Sequence, residues 1–209
     1  MSKEGRNANG IETLAAETLQ RVMEHPATQN DIATVETQLG RYPRGMVAVG
    51  ARCVGDGTPL VVITGPVLPG GIPFPTTMYL TSPEAVKAVS HLEADGLMRQ
   101  YNEMLADDTN LRAQYERAHA AYLAFRHGLA ERLNESEEHI EGISAGGMPV
   151  RVKCLHALVA QSLVMGPGVN PIGDMALERM RNEFDPTVCR CVRAQSDGQE
   201  TRWRHRPYA

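Results

Sequence analysis

The chain has 209 residues, with 21 Lys and Arg against 25 Asp and Glu, a net charge of −4 and four cysteines. A hydrophobic fraction of 42% beside 22% charged residues supports one sizeable globular core, and excludes disordered, fibrous and densely disulfide-bonded chains. The net acidity argues against a surface built as a whole for nucleic acid. No run reaches the about 18 apolar residues of a membrane helix, and the polar start does not read as a signal peptide, so a cytoplasmic protein with reduced thiols is expected.

In chain order, Ile11, Leu14, Ala15, Thr18 and Val22 fall at helical spacing, and His25-Pro26 ends that first helix. A second helix starts near Asn30 or Asp31, carries Ile32, Val35 and Leu39 on one face, and stops at Gly40. Two β-branched runs, Met46–Val49 and Leu60–Ile63, flank Gly55, Gly57 and Pro59 and predict a hairpin. A Pro/Gly-rich connection, Gly65 to Pro75, leads to a third strand at Thr77–Leu80. Ser82-Pro83-Glu84 marks a helix start, with Ser82 as cap, and Gly96 breaks that helix.

From Leu111 the series Tyr115, Ala118, Tyr122, Phe125, Leu129 alternates steps of four and three, the pattern of a long amphipathic helix. After the loop 142–149, residues Val150–Met165 are apolar nearly all round and predict a buried helix. Asp174 reads as the cap of a helix running to Phe184, and Val188–Val192 as a last strand. The expected fold is α+β, a small mainly antiparallel sheet packed with several helices. Residues 1–28 read as a helical extension, 29–192 as the domain and 193–209 as a basic tail. Residues 84–141 hold 12 acidic and 6 basic side chains, a solvated helical surface, whereas five arginines face two acids from Arg190 onward. Trp203 between arginines in that tail is the one feature that suits nucleic acid or an acidic partner.

Two sets of residues carry chemistry. The thiols and imidazole Cys53, Cys154, His156, Cys189 and Cys191, of which Cys154, Cys189 and Cys191 are the expected ligands, suit zinc or an iron–sulfur cluster, although no zinc-finger spacing is present. Within one helix Cys154 and His156 would lie about 200° apart, so they share an ion only if the helix begins after them. The stretch Ser144 to Lys153 combines Gly146, Gly147, Arg151 and Lys153 ahead of a helix, a pattern that suits a phosphate or carboxylate ligand. It lacks the G-K-[ST] ending of a Walker loop. Thr76, in the loop Pro73–Thr76, is expected to close over that site, with His156 as general acid or base. Glu116 and His119 form a single Glu-x-x-His, half of what a di-iron bundle needs.

Several strings together resemble a bacterial family catalogued as domain of unknown function 501: Leu39-Gly-Arg-x-Pro-Arg-Gly45, Pro73-Phe-Pro-Thr76 with Tyr79-Leu-Thr81, Gly146-Gly-Met-Pro-x-Arg-Val-Lys-Cys-Leu-His156, and Gly166-Pro-Gly-Val-Asn-Pro-Ile-Gly-Asp174. The resemblance spans residues 29 to 192. It implies no assigned activity. Genes of the family lie beside those for enolase, a septum-formation initiator and an exopolyphosphatase, which hints at phosphate metabolism or envelope growth. The family pattern shares Cys154, His156 and Cys191 but has Cys at Ser82 and His at Gln161. A mixed Cys/His metal site is therefore more complete in such relatives than in this chain.

Three readings follow. One is a ligand-binding protein or enzyme for a phosphorylated or carboxylate small molecule at Gly146–Lys153. The second is a metalloprotein using Cys154, Cys189 and Cys191. The third is an interaction protein using helix 111–133 and the tail.

Overall fold

In the computed structural model, which describes residues 3–188, the chain opens with helices α1 (Lys3–Met23) and α2 (Gln29–Leu39). Thr28 caps α2: its hydroxyl accepts the Asp31 N–H, and the Asp31 carboxylate takes the Thr28 N–H in return. Gly40, at φ 67°, closes the same helix in the left-handed region where glycine carries no Cβ penalty.

Strands β1 (Met46–Arg52) and β2 (Pro59–Thr64) form the expected antiparallel hairpin. The connection after it folds into a small hairpin, β3 (Val67–Leu68) with β4 (Ile72–Pro73), and β5 (Met78–Leu80) then pairs antiparallel with the free side of β2. Every residue of β2 is buried, because both faces of the sheet are covered. Val61 and Ile63 pair with Leu80 and Met78 and join the main core. Val62 and Thr64 alternate to the opposite face, beneath α2 and the residues that follow it.

Arg52, at the end of β1, ties these layers together. Its guanidinium grips Asp31 through two bonds of 2.6 and 3.0 Å and also donates to the Gly57 carbonyl. The guanidinium holds the Asp31 carboxyl far below the usual carboxylate range, against the opposing effect of burial. Because this folded-state value is depressed, the pair contributes its full stability above the ordinary carboxylate pKa of about 3.9 and loses it as pH falls below that. Asp31→Asn should cost about 1–2 kcal/mol at neutral pH, after allowing for solvent around the partly exposed Arg52. The difference from wild type should shrink in urea titrations at pH 3; an unchanged difference would show that the charge is not what matters.

The remaining elements are helical: α3 (Pro83–Ala94), α4 (Leu97–Asp107), α5 (Thr109–Leu133), a 3-10 turn at Glu138–Ile140, α6 (Leu155–Met165) and α7 (Pro171–Arg179). Ser82 caps α3 with Pro83 at the first position, as expected, and Gly96 at φ 83° separates α3 from α4. The stripe of α5 is spent inside the molecule: Tyr115, Tyr122 and Phe125 are fully buried, and Tyr122 receives the N–H groups of Thr77 and Met78 on its hydroxyl. That helix therefore offers its polar side outward. Helix α1 packs along it and places Ala15, Leu19 and Val22 in the same core. No described helix is long and apolar enough to cross a membrane.

Helix α6 is the centre of the molecule, with nine of its eleven residues buried; His156 and Leu163 are the exceptions. Its start corrects the sequence expectation. Residues Val150–Cys154 are not helical, because the N–H groups of Lys153 and Cys154 turn back to the Gly146 carbonyl and that of Arg151 to Gly147. Asp174 is likewise not a cap. Asn170 caps α7 by accepting from Ile172 and Gly173, whereas Asp174 lies in the first turn and accepts the Gly168 N–H. The expected helix to Phe184 ends at Arg179. The strand expected at Val188–Val192 lies, but for its first residue, outside the described residues.

Candidate metal centre

The N-terminus of α6 faces the last turns of α3. Cys154 is the N-cap residue of α6, extended at φ −154°, and His156 is the second helical residue. The 200° separation expected within one helix therefore disappears, because the helix begins between them. Cys154 Sγ lies 3.9 Å from His156 Nδ1. Glu93, on α3, completes a triangle: its Oε1 sits 3.2 Å from the same Nδ1 and accepts the Leu155 N–H at 2.7 Å. One ligand atom from each of Glu93, Cys154 and His156 lies within 4.8 Å of the others. Side chains of His156 and Glu93 are 25% and 23% exposed, so the triangle is reachable from solvent.

The far side of the imidazole fixes which way its lone pair points. His156 Nε2 lies 3.2 Å from the Val86 carbonyl and 3.4 Å from Ser90 Oγ. The Ser90 hydroxyl itself donates to the Val86 carbonyl at 2.8 Å, so both neighbours of Nε2 accept. Nε2 therefore carries a proton, and a neutral ring has its lone pair on Nδ1, aimed between a thiol and a carboxylate. Without an ion, a proton must fill that space. The pKa directions follow. Cys154 raises His156, with Glu93 adding to the effect against the opposing burial. Burial pushes the Cys154 thiol up, but His156 and the Ala157 amide together outweigh it and hold the thiol below its ordinary value.

Two edges of the triangle approach those of a zinc site, and the third, from Cys154 to Glu93, is within 4.8 Å. Tetrahedral zinc with bonds of about 2.3 Å to sulfur and about 2.0–2.1 Å to nitrogen or oxygen has ligand–ligand edges of about 3.6 and 3.4 Å. The 3.9 and 3.2 Å edges here sit close to these. A ligating His that donates its other ring N–H to a backbone carbonyl is the arrangement that orients such ligands, and Val86 supplies it.

The other expected site residues fall as follows. Cys189 and Cys191 lie outside the described residues. Arg151 and Lys153 are exposed. Gly146 and Gly147 have positive φ, and a Cβ on either would meet the protein itself, Leu158 Cδ2 at 2.6 Å and the Arg151 carbonyl at 2.4 Å. The chain's own turn accounts for both glycines. The amide of α6 best placed for an anion, that of Leu155, is already held by Glu93. Thr76 is not brought to this loop: Tyr122 holds its neighbours Pro75 and Thr77, while Tyr115 holds Arg151. Those two tyrosines stand two helical turns apart on α5, about 10 Å. His119 bonds Ser144 Oγ at 2.9 Å and Glu116 is exposed, so no second carboxylate–histidine pair forms there. Ser82 caps α3, and Gln161 bridges the Ala118 carbonyl and Asn170, seven residues along α6 from Cys154.

The sequence profile of the family described as Protein of unknown function (DUF501) matches residues 49–178. The chain belongs to this family. The match includes all three members of the triangle in this DUF501 protein, but not the Leu39–Gly45 string. No curated protein and no solved structure matches the chain. The sequence reading of this DUF501 protein missed Glu93. A signal for it exists: Glu93 follows Val86 by seven and Val89 by four, so a carboxylate occupies the buried face of α3.

Proposed function

We propose that this DUF501 protein is a metalloprotein that holds one zinc-type divalent ion through Glu93, Cys154 and His156. The observation that carries this reading is the Val86 carbonyl 3.2 Å from Nε2, an acceptor that assigns the ring proton to that nitrogen. It turns the Nδ1 lone pair toward the Cys154 sulfur and the Glu93 carboxylate, three donors that a metal ion in place of the proton would hold together. Mixed S, N and O donors suit zinc better than an iron–sulfur cluster, which is held mainly by thiolates. Three protein ligands leave a fourth position for water or substrate, the pattern of catalytic rather than structural zinc. Partial exposure of the triangle supports the same view.

His156 then serves as a ligand rather than as a general acid or base, since each of its nitrogens is committed. An oxyanion, phosphate or carboxylate, is the ligand class that suits the open position. Arg151 and Lys153, both exposed, precede Cys154 by three residues and one.

The test is metal binding by the full chain under reducing conditions. One zinc or cobalt(II) per chain is expected, with a thiolate charge-transfer band for cobalt. Cys154→Ser should abolish the band. Glu93→Gln keeps an acceptor for the Leu155 amide and should weaken binding by at least the about 10–100-fold typical of losing an outer-shell partner. Cys189→Ser with Cys191→Ser should leave the stoichiometry unchanged. A folded, reduced chain that binds neither ion would end this reading.

A further inference from the structure

The two sequence strings that the metal centre leaves unused, Leu39–Gly45 and Pro73–Tyr79, meet across the outer face of the sheet. There they enclose a cavity of about 360 Å³, within the size range of small-molecule sites of about 300–1,000 Å³. Val62 and Thr64 of β2, Phe74 and Tyr79, and Arg41 and Arg44 are among its lining residues, with Tyr79 paired beside Val62 in the sheet. No carboxylate lines it. This is notable in a chain of net charge −4. Among the described residues neither Arg41 nor Arg44 has an ion-pair or side-chain hydrogen-bond partner, and both are exposed.

The lining segments are fixed by the backbone. Gly40 and Gly45 both hold positive φ, at 67° and 74°, and the segment between them is turned by bonds from Arg44 N to Tyr42 O and Met46 N to Pro43 O. A Cβ at Gly45 would lie 2.6 Å from Leu68 Cδ2, so this turn is seated directly against the β3–β4 hairpin. The Phe74 segment is anchored by Phe74 N to Pro66 O at 2.8 Å. Two arginines of a tight turn thus line the same cavity as Phe74 and Tyr79, with no carboxylate in the lining to neutralise them.

We propose that this pocket is a ligand site for a small molecule that joins an oxyanion head, phosphomonoester or carboxylate, to a flat ring. Guanidinium forks match both heads bidentately, and a ring against Phe74, Tyr79 and Val62 buries apolar surface in offset or edge contacts. The pocket shares no residue with the metal centre, so the two stand or fall separately.

The probes are 1-naphthyl phosphate and 1-naphthoate, followed by naphthyl fluorescence with the full chain. 1-Naphthol serves as the ring-only control, and inorganic phosphate, read by its displacement of the bound probe, as the head-only control. Saturable binding of at least one charged naphthyl probe is expected, tighter than either control, and the stronger of the two identifies the head. Arg41→Ala and Arg44→Ala, both at exposed positions, should each weaken it about tenfold without changing the fold. Arg→Lys at either position should recover only part, because an ammonium lacks the fork. Cys154→Ser should bind the probe like wild type. Absence of binding by both charged probes, equal binding of naphthol, or binding indifferent to both arginine substitutions would overturn the proposal.

Discussion

Replacing Arg126 with Met should lower the unfolding free energy by about 3–5 kcal/mol, the cost of removing one partner from a buried ion pair. Arg126 is 1% exposed, yet it sits on a helix whose other charges face water. Its Nε donates to Glu137 at 2.9 Å, Nη2 to the Ile140 carbonyl at 2.8 Å, and Nη1 to the Ile143 carbonyl. The fork of one guanidinium therefore satisfies a carboxylate and two backbone carbonyls of the loop that follows α5. Met fills similar space but takes a donor from all three acceptors: Glu137 keeps His127 and the Ile140 carbonyl keeps the Ile143 N–H, whereas the Ile143 carbonyl loses the guanidinium in a site water reaches poorly. Lys keeps the charge without the fork and should fall between. Urea titrations measure the change from midpoint and slope; a loss below about 1 kcal/mol would show that water replaces the guanidinium without penalty. The same loop leads to Ser144 and Gly146, so the variant should also loosen the turn that presents Cys154, read as weaker cobalt(II) binding in the folded fraction.

Arg126 also shows where the sequence stops being readable. It follows Tyr122 by four and precedes Leu129 by three, which puts an arginine on the apolar stripe. Composition of the region, 12 acids and 6 bases over residues 84–141, suggests a solvated surface and hides this one exception. What distinguishes a buried guanidinium from a solvated one is its acceptors, and these come from a loop 11 to 17 residues further on.

The same contrast runs through the fold. Gly40, Ser82-Pro83 and Gly96 are legible element ends, because each acts on its own helix terminus through a local φ or a local hydrogen bond. The hairpin of β1 and β2 is legible for the same reason. The start of α6 is not, because its first amide is capped by Glu93, 62 residues away. Once a distant carboxylate sets where a helix begins, the angular relation of Cys154 and His156 is a tertiary property. Spacing alone made them incompatible as ligands; the observed boundary makes them neighbours. The thiol–imidazole pair was visible in the sequence and its third member was not. The anion reading of Gly146 and Gly147 meets the converse problem. Glycine reports only that a Cβ does not fit, and here the crowding atoms belong to Leu158 and Arg151. The outer pocket repeats the pattern: its strings read as a helix end and as a Pro/Gly-rich connection entering a strand, but only pairing of β5 with β2 brings Phe74 and Tyr79 into one cavity with Arg41 and Arg44.

Gly173→Ala should cost about 3 kcal/mol or slightly more, at the upper end of what one added methyl does in a packed interior. Gly173 has an ordinary φ, so backbone strain plays no part. A Cβ there would stand 2.3 Å from the Leu158 carbonyl oxygen and 2.4 Å from Ser162 Oγ. The first of these is main chain of the buried helix α6 and cannot rotate away. The second is held toward the Asn170 carbonyl at 3.3 Å. Relief requires α7 to withdraw from α6, which would pull Ile172 and Ala176, both fully buried, out of the core. Gly128→Ala is the control. That glycine is also helical, but its Cβ would meet only Leu19 Cδ2, the tip of a side chain, at 3.0 Å. The helix-propensity gain of about 1 kcal/mol should offset that contact and leave the stability within about 1 kcal/mol of wild type. Thermal and urea unfolding of the pair separate backbone crowding from a general intolerance of methyl groups. Equal losses at both positions would mean that α6 and α7 are not in the close contact described. Because Leu158 lies only two residues beyond His156, a withdrawal of α7 also gives α6 room to shift. Metal binding in Gly173→Ala should therefore weaken, whereas Gly128→Ala should bind as wild type.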